Sequence, residues 1–335
     1  MKHFITHLIR FLLIATSPLL ILILLYFYYD PFKVTKYYKD YSYSFVVPNR
    51  DYISTTMFIN NYDKYQYNSF VFGSSRTLAF KPASWQKYLT KNDHPFMFDA
   101  SGETIYGIYK KLKFLELSNI HVKNALIIIC RDMSFKSADN YTDHLTIKHP
   151  IISGEGQFNF HMAFLKAYLT PRFLLDFFCF KIIGSYKPFM SGFIEGRKIT
   201  MDTITNEINI IDQETEISLN TILYYTKRQE LFYTRKGEKI DSTPNINKKF
   251  LFMLKEIKRI LEKNNTNYKV ILSPLYEQIK FNEDDLLILK KEFGNNLFDF
   301  SGKNSFTENK INYYEPSHFR PIIGDSILVK VYNEH

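Results

Sequence analysis

Two short stretches carry residue types that do acyl chemistry together. "FGSSR", residues 72–76, sets two hydroxyls on a small-residue turn directly after an apolar run. "EPSH", residues 315–318, places an acid three residues before a histidine. A serine hydroxyl needs an imidazole to take its proton, and the imidazole needs a carboxylate to hold its tautomer and stabilise its cation. Ser75, His318 and Glu315 are therefore candidate nucleophile, base and orienting acid. Each stretch also has an ordinary reading. Ser74 or Ser75 caps a helix, and Glu315 and His318 share a solvated turn. They become a site only if the fold carries them to one place.

The elements that must do so are legible after residue 68, where short apolar runs alternate with helical periodicity. That alternation is the pattern of an α/β arrangement around a largely parallel sheet. The spacing predicts strands over Ser69–Phe72, Phe96–Asp99, Ala125–Cys130, Tyr268–Ser273 and Leu297–Phe300. It predicts helices in "ETIYGIYKKLKFLELS", with the lysines on the solvent side, in "KKFLFMLKEIKRILEKNN", and in "NEDDLLILKKEFG", capped at Asn282 and stopped at Gly294. A final helix takes Ile323, Ile327, Leu328 and Val331. Residues 136–247 break the alternation with a helical stretch, "FHMAFLKAYLTPRFLLDFFCFKII", and a hairpin about Thr205-Asn206. They read as an insertion over the carboxyl edge of the sheet, where open α/β sheets keep their ligands. Arg76 and Asp132 fall at the same edge, placed either to bind an anionic substrate or to pair with each other.

"FLLIATSPLLILILLYFYY", Phe11–Tyr29, holds no charge. About 20 apolar residues at 1.5 Å rise span a hydrocarbon core. Lys2, His3, His7 and Arg10 precede the run, and tyrosines crowd its far end as in an interfacial belt. The competing reading, a cleaved signal peptide, lacks a clear small-residue cleavage site. Residues 1–30 are thus read as a membrane anchor, 31–67 as a membrane-proximal connector with some local structure, and 68–335 as the main domain. The short basic amino terminus favours the inside, which puts the body outside the cytoplasm, although Lys33, Lys36 and Lys39 also flank the far side.

The formal charge of +9 comes from lysines dispersed along the chain, and no nucleic-acid motif accompanies it. Dispersed positive charge suits an anionic membrane surface or an acidic polymer. The two cysteines, Cys130 and Cys179, rule out a disulfide framework. No histidine has metal-ligand spacing, and no phosphate-binding or dinucleotide fingerprint occurs. No metal and no cofactor are expected.

Gly73-Ser74-Ser75 after the first strand, with Glu315-Pro316-Ser317-His318 before the last helix, resembles the SGNH/GDSL hydrolase superfamily. The similarity is closest to its membrane-anchored bacterial branch, which includes D-alanine transfer and alginate O-acetylation proteins. The resemblance covers about residues 68–135 and 248–332. It implies a flavodoxin-like three-layer α/β/α sandwich, with Ser75 as nucleophile, His318 as base and Glu315 as its acid. It also implies an oxyanion hole from the amides of Ser75 and Gly102. The chain departs from the family pattern in three places: Ser74 stands where an aspartate is usual, Glu315 replaces an aspartate, and Cys130-Arg131-Asp132 lacks the asparagine of the third motif.

Two functions follow as expectations. One is a membrane-anchored serine esterase or O-acyltransferase acting on a cell-envelope polysaccharide or glycopolymer, working with a membrane-bound O-acyltransferase partner. The other is an inactive relative that binds a glycopolymer or a membrane partner.

Overall fold

All five predicted apolar runs become strands of one parallel sheet. In the computed structural model, which describes residues 2–333, they are β1 Ser69–Gly73, β2 Pro95–Met97, β3 Asn124–Ile129, β4 Asn267–Leu272 and β5 Leu297–Asp299. Their order across the sheet is β2-β1-β3-β4-β5, and every neighbouring pair is parallel. The chain steps from β1 outward to β2 and then crosses back to β3. That reversal opens a crevice beyond the carboxyl ends of β1 and β3, where Ser75 follows β1.

Eight helices among the described residues exceed ten residues: α1 Lys2–Tyr29, α2 Arg50–Tyr65, α3 Ile105–Leu117, α4 Gln157–Tyr168, α5 Pro171–Ile183, α6 Lys248–Lys263, α7 Glu283–Phe293 and α8 Pro321–Asn333. Apolar clusters lie on both faces of the sheet, which explains why β1 and β3 are buried along their whole length. Phe70, Phe72, Ile127 and Ile129 meet α2, α3, α6 and α7 on one face. Val71, Leu126 and Ile128 meet Trp85 and α8 on the other. The fold is thus mixed α/β with a five-stranded parallel sheet at its centre.

The helix signals are honoured at atomic detail. Asn282 accepts from the amide of Asp284 at the start of α7, and Gly294 ends that helix at φ 53°. The helical stretch of the insertion divides into α4 and α5 where Pro171 takes the first position of α5 and Thr170 accepts from the amide of Phe173. The expected hairpin forms from Ile199–Met201 and Ile208–Ile210, with Asn206 in the left-handed region at φ 60°.

Two expectations change. Residues 31–67 are more than a connector, because α2 buries Ile53, Met57 and Phe58 in the sheet's main cluster and belongs to the body. Its polar sequence hid this, since Arg50 and Asp51 are themselves buried and paired. Lys111 of α3, assigned to the solvent side by periodicity, is also fully buried. Its ammonium lies 2.9 Å from Asp51 and 2.9 Å from Glu103, and Lys148 joins both acids. Two acids and two bases neutralise each other there, which satisfies charges that would otherwise be costly to bury.

Helix α1 has 27 residues, His3–Tyr29, that are long and apolar enough to cross a membrane. Its far end is packed rather than free: Tyr26 shares a cluster with Phe160, Phe164 and Tyr168 of α4 and with Phe173 and Phe177 of α5.

Candidate active site

Gly73 ends β1 at φ 147°, and a Cβ there would sit 2.8 Å from the carbonyl oxygen of Ile128. Only glycine suits this turn, both for its backbone angle and for its contact with β3. The chain then enters a 3₁₀ turn, Ser75–Ala79, tied down by the Thr77 hydroxyl donating to the Ser74 carbonyl at 2.9 Å. The two serines part company here. Ser74 Oγ is buried against Cys130 Sγ at 3.4 Å and makes no capping bond. Ser75 Oγ lies 2.7 Å from Nε2 of His318.

His318 is carried by a two-stranded antiparallel pair, Tyr313–Glu315 with His318–Phe319, in which Glu315 stands opposite His318 across an irregular register. This pairing turns a spacing of three residues into direct contact, and His318 Nδ1 hydrogen-bonds Glu315 Oε1. The other carboxylate oxygen accepts from the Ser317 amide at 2.7 Å. Burial alone would raise the Glu315 carboxyl. The hydrogen bond and charge of His318, the Ser317 amide and the Arg76 charge outweigh burial and hold it below the usual carboxylate range. The carboxylate is therefore ionised at neutral pH, as an orienting acid must be.

Arg76 and Asp132 pair with each other at 2.7 Å, the second of the two readings their positions allowed. Arg76 also donates from Nε to the Ser317 carbonyl at 2.9 Å. It thereby joins the turn of Ser75 to the loop of His318, and it does not line the cavity. Helix α8 closes the assembly from behind. Gly324 approaches so near that a Cβ would lie 2.0 Å from the Ala79 carbonyl oxygen, at the end of the Ser75 turn.

Ser75 and His318 open into a cavity of about 210 Å³. Its apolar wall includes Leu78, Ile199, Met201, Ile208 and Ile210, so the hairpin of the insertion forms one side. Two ion pairs complete it: Arg50 with Asp99 at 2.7 Å, and Arg197 with Glu195 at 2.8 Å. Beyond Val47, Glu195 and Arg197 lies a second, more open groove of about 540 Å³, lined also by Tyr186, Asp212, Gln213, Glu216 and Arg228.

The amide of Ser75 stands at the first position of its turn, where an N–H has no partner within the helix. Gly102 has φ 60° and turns towards Thr146 and Met133; its neighbour Ser101 lines the cavity and Gly102 itself does not. Among the described residues no asparagine lines the cavity. Asp132, at the third motif, is taken by Arg76, while Arg131 is bound to Asp241 and Glu277. No group of three or more potential metal ligands occurs among the described residues.

Arg50, Asp99, Glu195 and Arg197 escaped sequence reading. Asp99 was visible only as an acid at a strand end, and Arg50 lay within the stretch read as a connector. Nothing in the spacing of Glu195 and Arg197 announces a cavity wall. No protein-family model matches the chain, and no curated protein matches it significantly in sequence.

Proposed function

We propose that the protein is a membrane-anchored serine esterase or O-acyltransferase of the SGNH type, acting on a cell-envelope glycopolymer from the outer side of a bacterial cytoplasmic membrane. The observation that carries this reading is the continuous hydrogen-bonded chain Ser75–His318–Glu315 at the mouth of a cavity. The strand order β2-β1-β3-β4-β5 with apolar clusters on both faces supports a flavodoxin-like three-layer architecture.

In this mechanism His318 Nε2 takes the proton as Ser75 Oγ attacks the acyl carbonyl. Glu315 holds the imidazole through Nδ1 and stabilises its cation. The Ser75 amide donates to the oxyanion, and a donor of this kind is worth about 100- to 1000-fold in rate. His318 then returns the proton to the leaving oxygen. Water or a sugar hydroxyl resolves the acyl-enzyme by the same steps in reverse. The apolar cavity takes the acyl group, and the groove with Tyr186, Asp212 and Gln213 presents the stacking and hydrogen-bonding groups that a polyol acceptor needs. Transfer draws its acyl group from a membrane-bound acyl donor protein.

A second reading, an inactive relative that binds a glycopolymer, is favoured by one observation: among the described residues no asparagine lines the cavity to complete an oxyanion hole. A fluorophosphonate probe on the full chain separates the two. Labelling that disappears in Ser75→Ala and His318→Ala supports the enzyme, whereas a folded wild type that does not label supports the binding protein.

A further inference from the structure

The insertion places a helical pair, α4 and α5, directly against the end of α1, and that pair has the composition of a membrane-surface element. Residues 157–183 contain Lys166, Arg172 and Lys181 but a single acid, Asp176, which is buried and paired with Arg172 at 2.9 Å. Phe173 and Phe177 of α5 face the protein. On the other side of α5, Leu175 is 54% exposed and Ile182 85% exposed, while Phe178 and Cys179 between them are half-buried at the edge of the same cluster as Phe173 and Phe177. Those four residues follow a spacing of three and four, an apolar stripe along one side of the helix. Phe158, at the start of α4, is 75% exposed.

The contact with α1 sets the depth. Leu22 packs against the same cluster as α4 and α5. The Tyr26 ring is 5.2 Å from Tyr168, and the Tyr29 ring 5.6 Å from Phe177. From Leu22 to Tyr29 the helix rises about 10 Å at 1.5 Å per residue. Arg10 is the last charge before Asp30, and a hydrocarbon core takes about 20 residues. The uncharged run must therefore extend to about Tyr29 to fill the core. Whatever covers Leu22 and Tyr26 lies at their depth, and interfacial helices sit about 5–10 Å into the headgroup and acyl boundary.

We propose that the α4–α5 pair docks into the lipid surface of the leaflet from which α1 emerges. This rests on reading α1 as a membrane span. The exposed stripe of α5 enters the acyl boundary, while Lys166, Lys181 and the following Lys187 meet anionic headgroups. Lys181 already lies over the rings of Tyr29 and Phe45, at 5.1 and 4.6 Å, as expected of a cation among interfacial aromatics. Docking gives the body a fixed height and tilt. The segment after α5 bridges back to the chain that leaves α1, through Val46 and Ile194, and continues into the cavity wall at Glu195 and Arg197. The catalytic cavity is thereby held at a set distance from the bilayer.

The test uses the full chain in liposomes containing phosphatidylglycerol, with Cys179→Ser as background, since Cys130 is buried. An environment-sensitive fluorophore is attached at Leu13→Cys, in the span, at Ile182→Cys and Leu175→Cys, and at Leu219→Cys. Leu219 is 80% exposed and lies in the helix whose Ile217 packs into a separate cluster with Tyr314. The proposal expects bromine-labelled lipids to quench the probes at 13, 175 and 182 at least about twofold more than the probe at 219. Quenching at 13 with water-like behaviour at both 175 and 182 overturns the docking while leaving the anchor intact. Absence of quenching at 13 as well overturns the span and the docking together.

Discussion

Replacing Gly324 with alanine should pull the serine and the histidine apart while altering neither. A Cβ at residue 324 would sit 2.0 Å from the Ala79 carbonyl oxygen and 2.6 Å from its carbon, where real Cβ atoms keep at least 3.0 Å. Backbone lies on both sides of this contact, so no rotamer relieves it, and α8 must retreat from the Ser75 turn by about 1 Å. Helix α8 begins three residues after His318, and the turn carries Ser75 at its other end. The Ser75–His318 distance of 2.7 Å would open to about 3.7 Å, beyond hydrogen-bonding range. A misplacement of 1 Å costs roughly 100-fold in rate, and the overpacking costs about 1–3 kcal/mol of stability. The assay is the second-order rate of fluorophosphonate labelling, measured where circular dichroism shows the variant folded, alongside a urea unfolding curve. Labelling within twofold of wild type would refute the claim that α8 sets the geometry of the site.

Other substitutions probe separate parts of the account. Glu315→Gln should keep the fold and lower the labelling rate by about 10⁴-fold, because an amide cannot enforce the required imidazole tautomer. The folded-state value of Glu315 lies below the usual range, so its contribution to stability is present above the unfolded value of about 4.3 and lost as pH falls through the folded one. Urea curves of wild type and Glu315→Gln should therefore differ at neutral pH and converge in acid. Lys111→Met leaves Asp51 and Glu103 with Lys148 alone, and it should destabilise the protein by about 3–5 kcal/mol in the same measurement. The cavity of about 210 Å³ compares with roughly 150 Å³ for one that holds benzene. Turnover of p-nitrophenyl esters should rise by about fourfold per methylene up to roughly six carbons and collapse for long fatty acyl chains.

The sheet was legible because its strands are buried on both faces and read as unbroken apolar runs such as "ALIII", residues 125–129. Helix α6 was legible from its periodicity and α7 from its cap and stop. Helix α2 was not, since Arg50 and Asp51 look like solvated charges until their partners, Asp99 and Lys111, arrive from other parts of the chain. Lys111 misled for the same reason: periodicity assigns a lysine to water and cannot see two carboxylates waiting in the interior. At the site, residue types and their placement after the first strand and before the last helix singled out Ser75, Glu315 and His318. The cavity wall depends on Ile199, Met201, Ile208 and Ile210 folding back over the sheet edge, a tertiary fact with no local signature. Arg76 allowed two readings until the Ser317 carbonyl and Asp132 were seen to take its donors.

The most direct measurement is to capture the covalent intermediate. The full chain would be mixed with a short activated ester, quenched in acid within the first turnover, and mapped by peptide mass spectrometry. The account predicts a mass increment of one acyl group on the peptide containing Ser75, absent from Ser75→Ala. An increment that persists in Ser75→Ala, or a folded wild type that never acquires one, would contradict it.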